Sequence, residues 1–248
     1  MPIIQKNIYR KTITLVLLLF FWGCGGNSDP SEASKLSSQS KNPSELIQIA
    51  AEKQRIGAYD EAIAILHGVL ELDPKFISAY TQMGLVYGEA DQRNKAIESY
   101  NKALEMEPKN LQARLGLAEV YSKMTRNDLA VAEFLKAESL QPKDKEILFK
   151  IALEYWYDQK LNEAAEYYNK ILAIDPNHTQ AHLNLISVYE KLKDWEKALQ
   201  EIEISKQLGK ENNNDQTIAI AVRKLAFIKG RMNMTDKDYK RKSQPPFE

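Results

Sequence analysis

The residues best suited to chemistry in this 248-residue chain are few and scattered. Histidine occurs three times, at His67, His178 and His182, and cysteine once, at Cys24. His178 and His182 are four apart, a spacing that puts two imidazoles on one helix face and suits a metal ion. A stable site needs three or four ligands, and no third His or Cys lies near them; His178 also falls in a turn after Pro176. No metal and no other cofactor is expected. Neither G-x-S-x-G nor H-E-x-x-H occurs, and the sparse glycines form no phosphate-cradling loop. Acidic residues such as Glu163, Glu166 and Glu196 fall on outward helix faces, where they serve solubility. The expectation is a non-enzymatic protein with no small-molecule substrate. Basic and acidic residues balance at 34 each, which gives no electrostatic case for nucleic acid.

The one cysteine closes a distinctive segment. Lys6, Arg10 and Lys11 make a basic start, Thr12 to Trp22 is almost wholly apolar, and Gly23-Cys24 follows. The apolar run is too short to span a bilayer, which takes about 20 residues, and has the form of a secretory signal. With Gly25-Gly26-Asn27-Ser28 after it, this segment resembles the processing site of bacterial lipoproteins. Gly23 fits that pattern; Phe21 and Trp22 stand where the family usually has Leu and a small residue. The resemblance implies that 1–23 is removed and that the Cys24 thiol carries lipid, anchoring the chain to a membrane. An ordinary signal peptide with a cysteine near its cut is the other reading. A single cysteine excludes an internal disulfide, so stability must come from packing. Residues 24–42, with Ser28, Ser31, Ser34, Ser37, Ser38, Ser40 and Pro30, have little to bury and read as a flexible tether.

The elements that must carry any function emerge from periodicity. Pro74, Pro108, Pro142 and Pro176 are 34 residues apart. Twelve residues before each stands Ala62, Ala96, Ala130 or Ala164, a series continued by Ala198. Eight before are Leu66, Tyr100, Phe134 and Tyr168, then Ile202; 21 before are Lys53, Tyr87, Tyr121 and Tyr155, then Tyr189. A small residue recurs 24 before, as Ala50, Gly84, Ala118 and Ala152, until Ile186. Each unit holds two runs of about 13 residues with helical apolar spacing, and the proline ends the second because it lacks an N–H and clashes with the preceding turn.

This period and these columns resemble the tetratricopeptide repeat, a helix-turn-helix of 34 residues. The resemblance implies an all-α, right-handed solenoid of five repeats, 43–76, 77–110, 111–144, 145–178 and 179–210, closed by a capping helix within 211–231. The cap has an apolar stripe of Ile218, Ala221, Val222, Leu225 and Ile228. Ile220 and Phe227 lie off it, either half-buried or forming a partner or self-association surface. Lys53 in a tyrosine column suits an end in water, and 232–248 reads as a disordered polar tail.

In the family the first helix of each repeat lines a groove for a protein or peptide partner. Carrying its facing positions across gives an apolar groove of Ile47, Leu85, Leu115, Phe149, Leu153 and Leu183, with Trp156 and Tyr157 adding aromatic mass. Trp156 and Tyr157 either meet a partner or pack internally. The Lys/Asn/Arg clamp with which one branch grips chaperone carboxylates is missing, since Ile47, Ala51 and Gln82 occupy its places. The combined resemblance implies a lipid-anchored scaffold in the cell envelope, on the periplasmic face of the outer membrane, similar to lipoproteins of pilus or envelope assembly. A surface-displayed lipoprotein binding external or host molecules is the alternative. Mass spectrometry of detergent-extracted protein should find a chain starting at Cys24 with added acyl mass; a water-soluble product without it removes the anchor.

Overall fold

A computed structural model of the chain describes residues 42–235 and 237–239. Eleven helices follow one another between Pro43 and Met232: α1 (Pro43–Arg55), α2 (Tyr59–Leu72), α3 (Ile77–Glu89), α4 (Arg93–Met106), α5 (Leu111–Lys123), α6 (Asn127–Leu140), α7 (Lys145–Tyr157), α8 (Leu161–Ile174), α9 (Thr179–Leu192), α10 (Trp195–Glu211) and α11 (Asp215–Met232). No strand occurs among the described residues, and no helix among them is long and apolar enough to cross a membrane. The chain divides into two units within α3, one ending at Gln82 and the other starting at Met83. In the first, α1 packs on α2; in the second, each helix from α4 to α11 packs on the next. These are the helical hairpins of an α-solenoid.

Local sequence explains the helix ends. Asn42, Asn110, Asp144, His178 and Asn214 stand before α1, α5, α7, α9 and α11, and their side chains accept a hydrogen bond from a first-turn N–H. Between the two helices of each repeat one residue takes a left-handed conformation: Gly57, Asp91, Thr125, Gln159 and Lys193, with φ of 79°, 57°, 56°, 59° and 59°. Only the first is glycine, so the short connection imposes αL on residues that resist it, Thr125 most of all.

The core of the second unit is the two periodic columns set against each other. Tyr100 of α4, 3% exposed, lies between α3 and α5. Its ring is so close to Gly84 that a Cβ there would fall 2.6 Å from Cε1, and a Cβ on Gly116 would overlap the ring from the other side. Phe134, Tyr168 and Ile202 fill the equivalent space further on, beside Ala118, Ala152 and Ile186, all essentially buried. At α10 the repeat-ending proline is replaced by Lys210 and the helix runs on to Glu211. Gly209 then lets α11 approach, since a Cβ there would meet Ile218 Cγ1 at 2.7 Å.

Two expectations about the ends are corrected. Lys53 is half-buried and ion-paired to Glu61 at 2.5 Å, because its stem lies along the hairpin and only the ammonium needs a partner. The polar tail is not featureless from 232. Thr235 and Asp238 cap a new turn reciprocally, side chain to backbone, at 3.1 and 3.2 Å. That turn delivers Tyr239 into contact with α10 and α11, 8% exposed, its hydroxyl donating to Glu203 at 2.8 Å and Lys229 4.7 Å from its ring centroid. Gly116→Ala should lower stability by about 1–3 kcal/mol by overpacking Tyr100, despite alanine's better helix propensity of about 1 kcal/mol. Urea unfolding measures the loss, and a Tyr100→Leu background should remove most of it.

Candidate functional site

The first helices of the repeats in the second unit are α3, α5, α7 and α9, with α11 following. Side chains join them one to the next like rungs. Gly88 leaves room for Val120, whose Cγ2 would sit 3.7 Å from a Cβ there. Lys150 of α7 donates to Glu119 of α5 at 2.9 Å, and Ser122 of α5 donates to Glu154 of α7 at 2.5 Å. Lys191 of α9 donates to Gln159 at 2.9 Å and stands 4.5 Å from the centroid of the Trp156 ring. Lys224 of α11 donates to Glu190 of α9 at 2.6 Å. Two helices with identical roles are thereby held in register by charge.

Glu154 is the unusual rung. It stands 34 residues from Val120 and Val188, which are buried, and is itself 4% exposed. Ser122 satisfies one carboxylate oxygen and the other has no hydrogen-bond partner. Burial pushes its pKa above the ordinary carboxylate range, against the Ser122 hydrogen bond and the charge of Lys150.

The structure separates the expected groove residues into three groups. Ile47 is half-buried in the first unit. In the second unit Leu115, Phe149, Trp156 and Leu183 are half-buried and packed against the core, and Leu153 is half-buried as well. Phe149 meets Tyr168 edge-on at 5.7 Å and the His178 ring at 6.1 Å. Leu85 and Tyr157 are open, at 41% and 61% exposure. Trp156 and Tyr157, adjacent in sequence, therefore part company: the first lies beneath Lys191, the second faces out.

Sequence reasoning missed a polar device that fixes the geometry between hairpins. Six residues after three of the repeat-ending prolines stands a donor to that proline's own carbonyl: Tyr80 to Pro74 at 3.3 Å, Arg114 to Pro108, and His182 to Pro176 at 2.9 Å. Arg114 also pairs with Glu133 at 2.8 Å, and His182 Nδ1 with Glu201 at 2.6 Å, the acid standing 19 residues later in both repeats. The signal was present as that recurring spacing. It also settles the two histidines: His178 caps α9 through Nδ1, accepting from the Ala181 N–H at 3.2 Å, while His182 is 5% exposed with both ring nitrogens engaged. Among the described residues no three His, Cys, Asp or Glu side chains gather to hold a metal.

Helical hairpins of one length, joined through their first helices, define a repeat solenoid. The tetratricopeptide repeat model matches residues 89–148 and 155–220, about half of the chain, and the chain belongs to that family. No curated protein matches it. Among solved structures, a crystal structure of MamA is similar at 22% identity and a TM-score of 0.61, covering 66% of this chain and 96% of that one. MamA from residue 41 onward of Desulfovibrio magneticus RS-1 is 19% identical with a TM-score of 0.60, covering 71% and 96%. YrrB, described as a TPR protein with an unusual peptide-binding site, is 22% identical with a TM-score of 0.61, covering 79% of this chain and 98% of that one. At these identities the likeness is one of fold.

Burial would lower the pKa of His182, but Glu201 and the Pro176 carbonyl outweigh it, and the pKa lies above its ordinary 6.5. The folded state thus favours the imidazolium. The pair's contribution is complete below the unfolded value and fades as pH rises through the higher folded value. Against His182→Leu, which copies Leu148 of the preceding repeat, the unsubstituted protein should lose part of its advantage between about pH 6 and pH 8. Urea unfolding across that range reads the difference.

Proposed function

We propose that the chain is a non-enzymatic scaffold that holds a partner polypeptide on the first-helix face of its second unit. One observation carries the reading: large apolar side chains stay open along that face. Leu85 and Tyr157 are 41% and 61% exposed, in line with half-buried Leu115, Phe149, Leu153 and Leu183. Large apolar side chains left open on the first helices mark interaction sites, and exposed aromatics are favoured anchors. The peptide-binding site of YrrB supports the same use of the fold.

The signal-like amino end and Cys24 extend the proposal to place. The protein is lipid-anchored through Cys24 in a bacterial cell envelope, at the outer membrane facing the periplasm, where it serves envelope or pilus assembly. Gly25 after the cysteine, rather than Asp, supports passage to the outer membrane. Several acyl chains at about 0.8 kcal/mol per buried CH₂ would hold it there firmly.

Tyr157 and Trp156 separate binding from packing. Tyr157→Ala should leave the melting temperature nearly unchanged, since exposed substitutions stay within about 0.5 kcal/mol. It should weaken capture of peptides selected on the protein from a random display library by about 1–3 kcal/mol. Trp156→Ala should lower both. A selection that enriches no peptide, or peptides indifferent to Tyr157→Ala and Leu85→Ala, refutes the face as a binding surface.

A further inference from the structure

Where α9 ends, the chain turns through Lys193 into α10, and α11 packs against both helices. An open pocket of about 460 Å³ lies there, lined by Glu190, Lys191, Lys193, Trp195, Phe227 and Arg231. Its size falls within the range of ligand sites. Two of the lining residues are aromatic. Trp195, the first residue of α10, is half-buried and packs on the core, and Phe227 is 45% exposed.

The other four are three cations and one acid. That acid is already matched, since Lys224 donates to Glu190 at 2.6 Å. Asp194, beside the pocket in sequence, is matched as well: it accepts from the Lys197 N–H and pairs with the Lys197 ammonium at 3.0 Å. Lys191 donates to the neutral amide of Gln159, and the Arg231 guanidinium lies over the Phe227 ring, 5.5 Å from its centroid. A guanidinium held over a ring keeps its in-plane N–H fork for a carboxylate. Cations also gather at helix C-termini to answer open carbonyls. Here left-handed residues partly meet that need, the Lys193 N–H bonding the Glu190 carbonyl at 3.2 Å and the Asn233 N–H that of Gly230 at 3.4 Å.

We infer that this pocket takes an acidic side chain of the bound polypeptide, an Asp or Glu next to an aromatic or aliphatic residue. Lys193 and Arg231, from the α9–α10 turn and from α11, meet the carboxylate, and the two rings meet its apolar neighbour. Lys191 makes a polypeptide the fitting occupant. It lines the pocket and also stands 4.5 Å from the centroid of the Trp156 ring, next in sequence to open Tyr157. A segment crossing Trp156 therefore meets Lys191 and then the pocket, an assignment that rests on the binding face proposed above.

The whole chain with Cys24→Ser, which keeps lipid out of the measurement, is used to select peptides from a random display library at low salt, where charge is least screened. The peptides should carry Asp or Glu beside an aromatic or aliphatic residue. Their affinity for Lys193→Glu/Arg231→Glu should fall at least about tenfold with unchanged helical circular dichroism, and less for Lys193→Gln/Arg231→Gln. Replacing the peptide's acid by its amide should weaken binding to the unsubstituted pocket and change little on the Lys193→Gln/Arg231→Gln protein. Peptides that respond to Tyr157→Ala but to neither double variant overturn the pocket and leave the binding face standing. Peptides with the opposite response uphold the pocket and remove the face. Peptides without an acidic preference, or a loss on the Gln variant that persists after amidation, also overturn the pocket. A library that yields no binder removes both.

Discussion

Each hairpin in the second unit closes around a large side chain that needs a gap in the backbone opposite. Tyr100 enters between Gly84 and Gly116 so tightly that an added methyl on either would overlap its ring. Phe134 and Tyr168 repeat the arrangement beside Ala118 and Ala152, and where the small residue becomes Ile186 the large one shrinks to Ile202. Interior packing at crystal density tolerates little change of volume, so each pair fixes its helix separation and hands that spacing to the next. The same fit sends polar tips through the core. Burial pushes the Tyr168 phenol up to about 12, and its oxygen accepts from Asn184 of α9 at 3.0 Å.

Polar groups then set what packing leaves free. Apolar contact tolerates sliding along a helix, whereas a donor aimed at one carbonyl does not. Tyr80, Arg114 and His182 each return to the carbonyl of a repeat-ending proline, tying the start of a first helix to the turn before it. Lys150 to Glu119 and Lys224 to Glu190 do the same between first helices. Most exposed ion pairs contribute little, but a half-buried pair that repeats along a stack acts on register more than on stability. These charges are spent on neighbours, and Leu85 and Tyr157 are the large apolar side chains left open on the first helices. Glu154 is the exception, a carboxylate in a valine column with one oxygen unpartnered, which costs where Val86, Val120 and Val188 gain.

A stack of helical hairpins offers extended faces. Leu85 and Tyr157 on the first helices, and Val222 and Phe227 at the last, are exposed for different reasons. The former lie on the first helices of successive repeats; the latter lie on α11, the last of the eleven helices described. A face made by repetition suits an extended partner.

Much of this was legible in the residues. A proline every 34 residues, with alanine, aromatic and small columns at fixed offsets, determined the hairpins and the family, because those columns are the packing itself. The left-handed turn residues were hidden, since tertiary closure forces αL on Asp91, Thr125, Gln159 and Lys193 against their preference. So was the role of His182, which needs Glu201 and the Pro176 carbonyl brought to it. Trp156 and Tyr157 could not be told apart in sequence, because they differ by 100° around one helix and only Lys191 on the next decides which is covered. Spacing along the chain determines what a residue's own helix does with it; what the neighbouring repeat does with it exists only once the repeats are stacked.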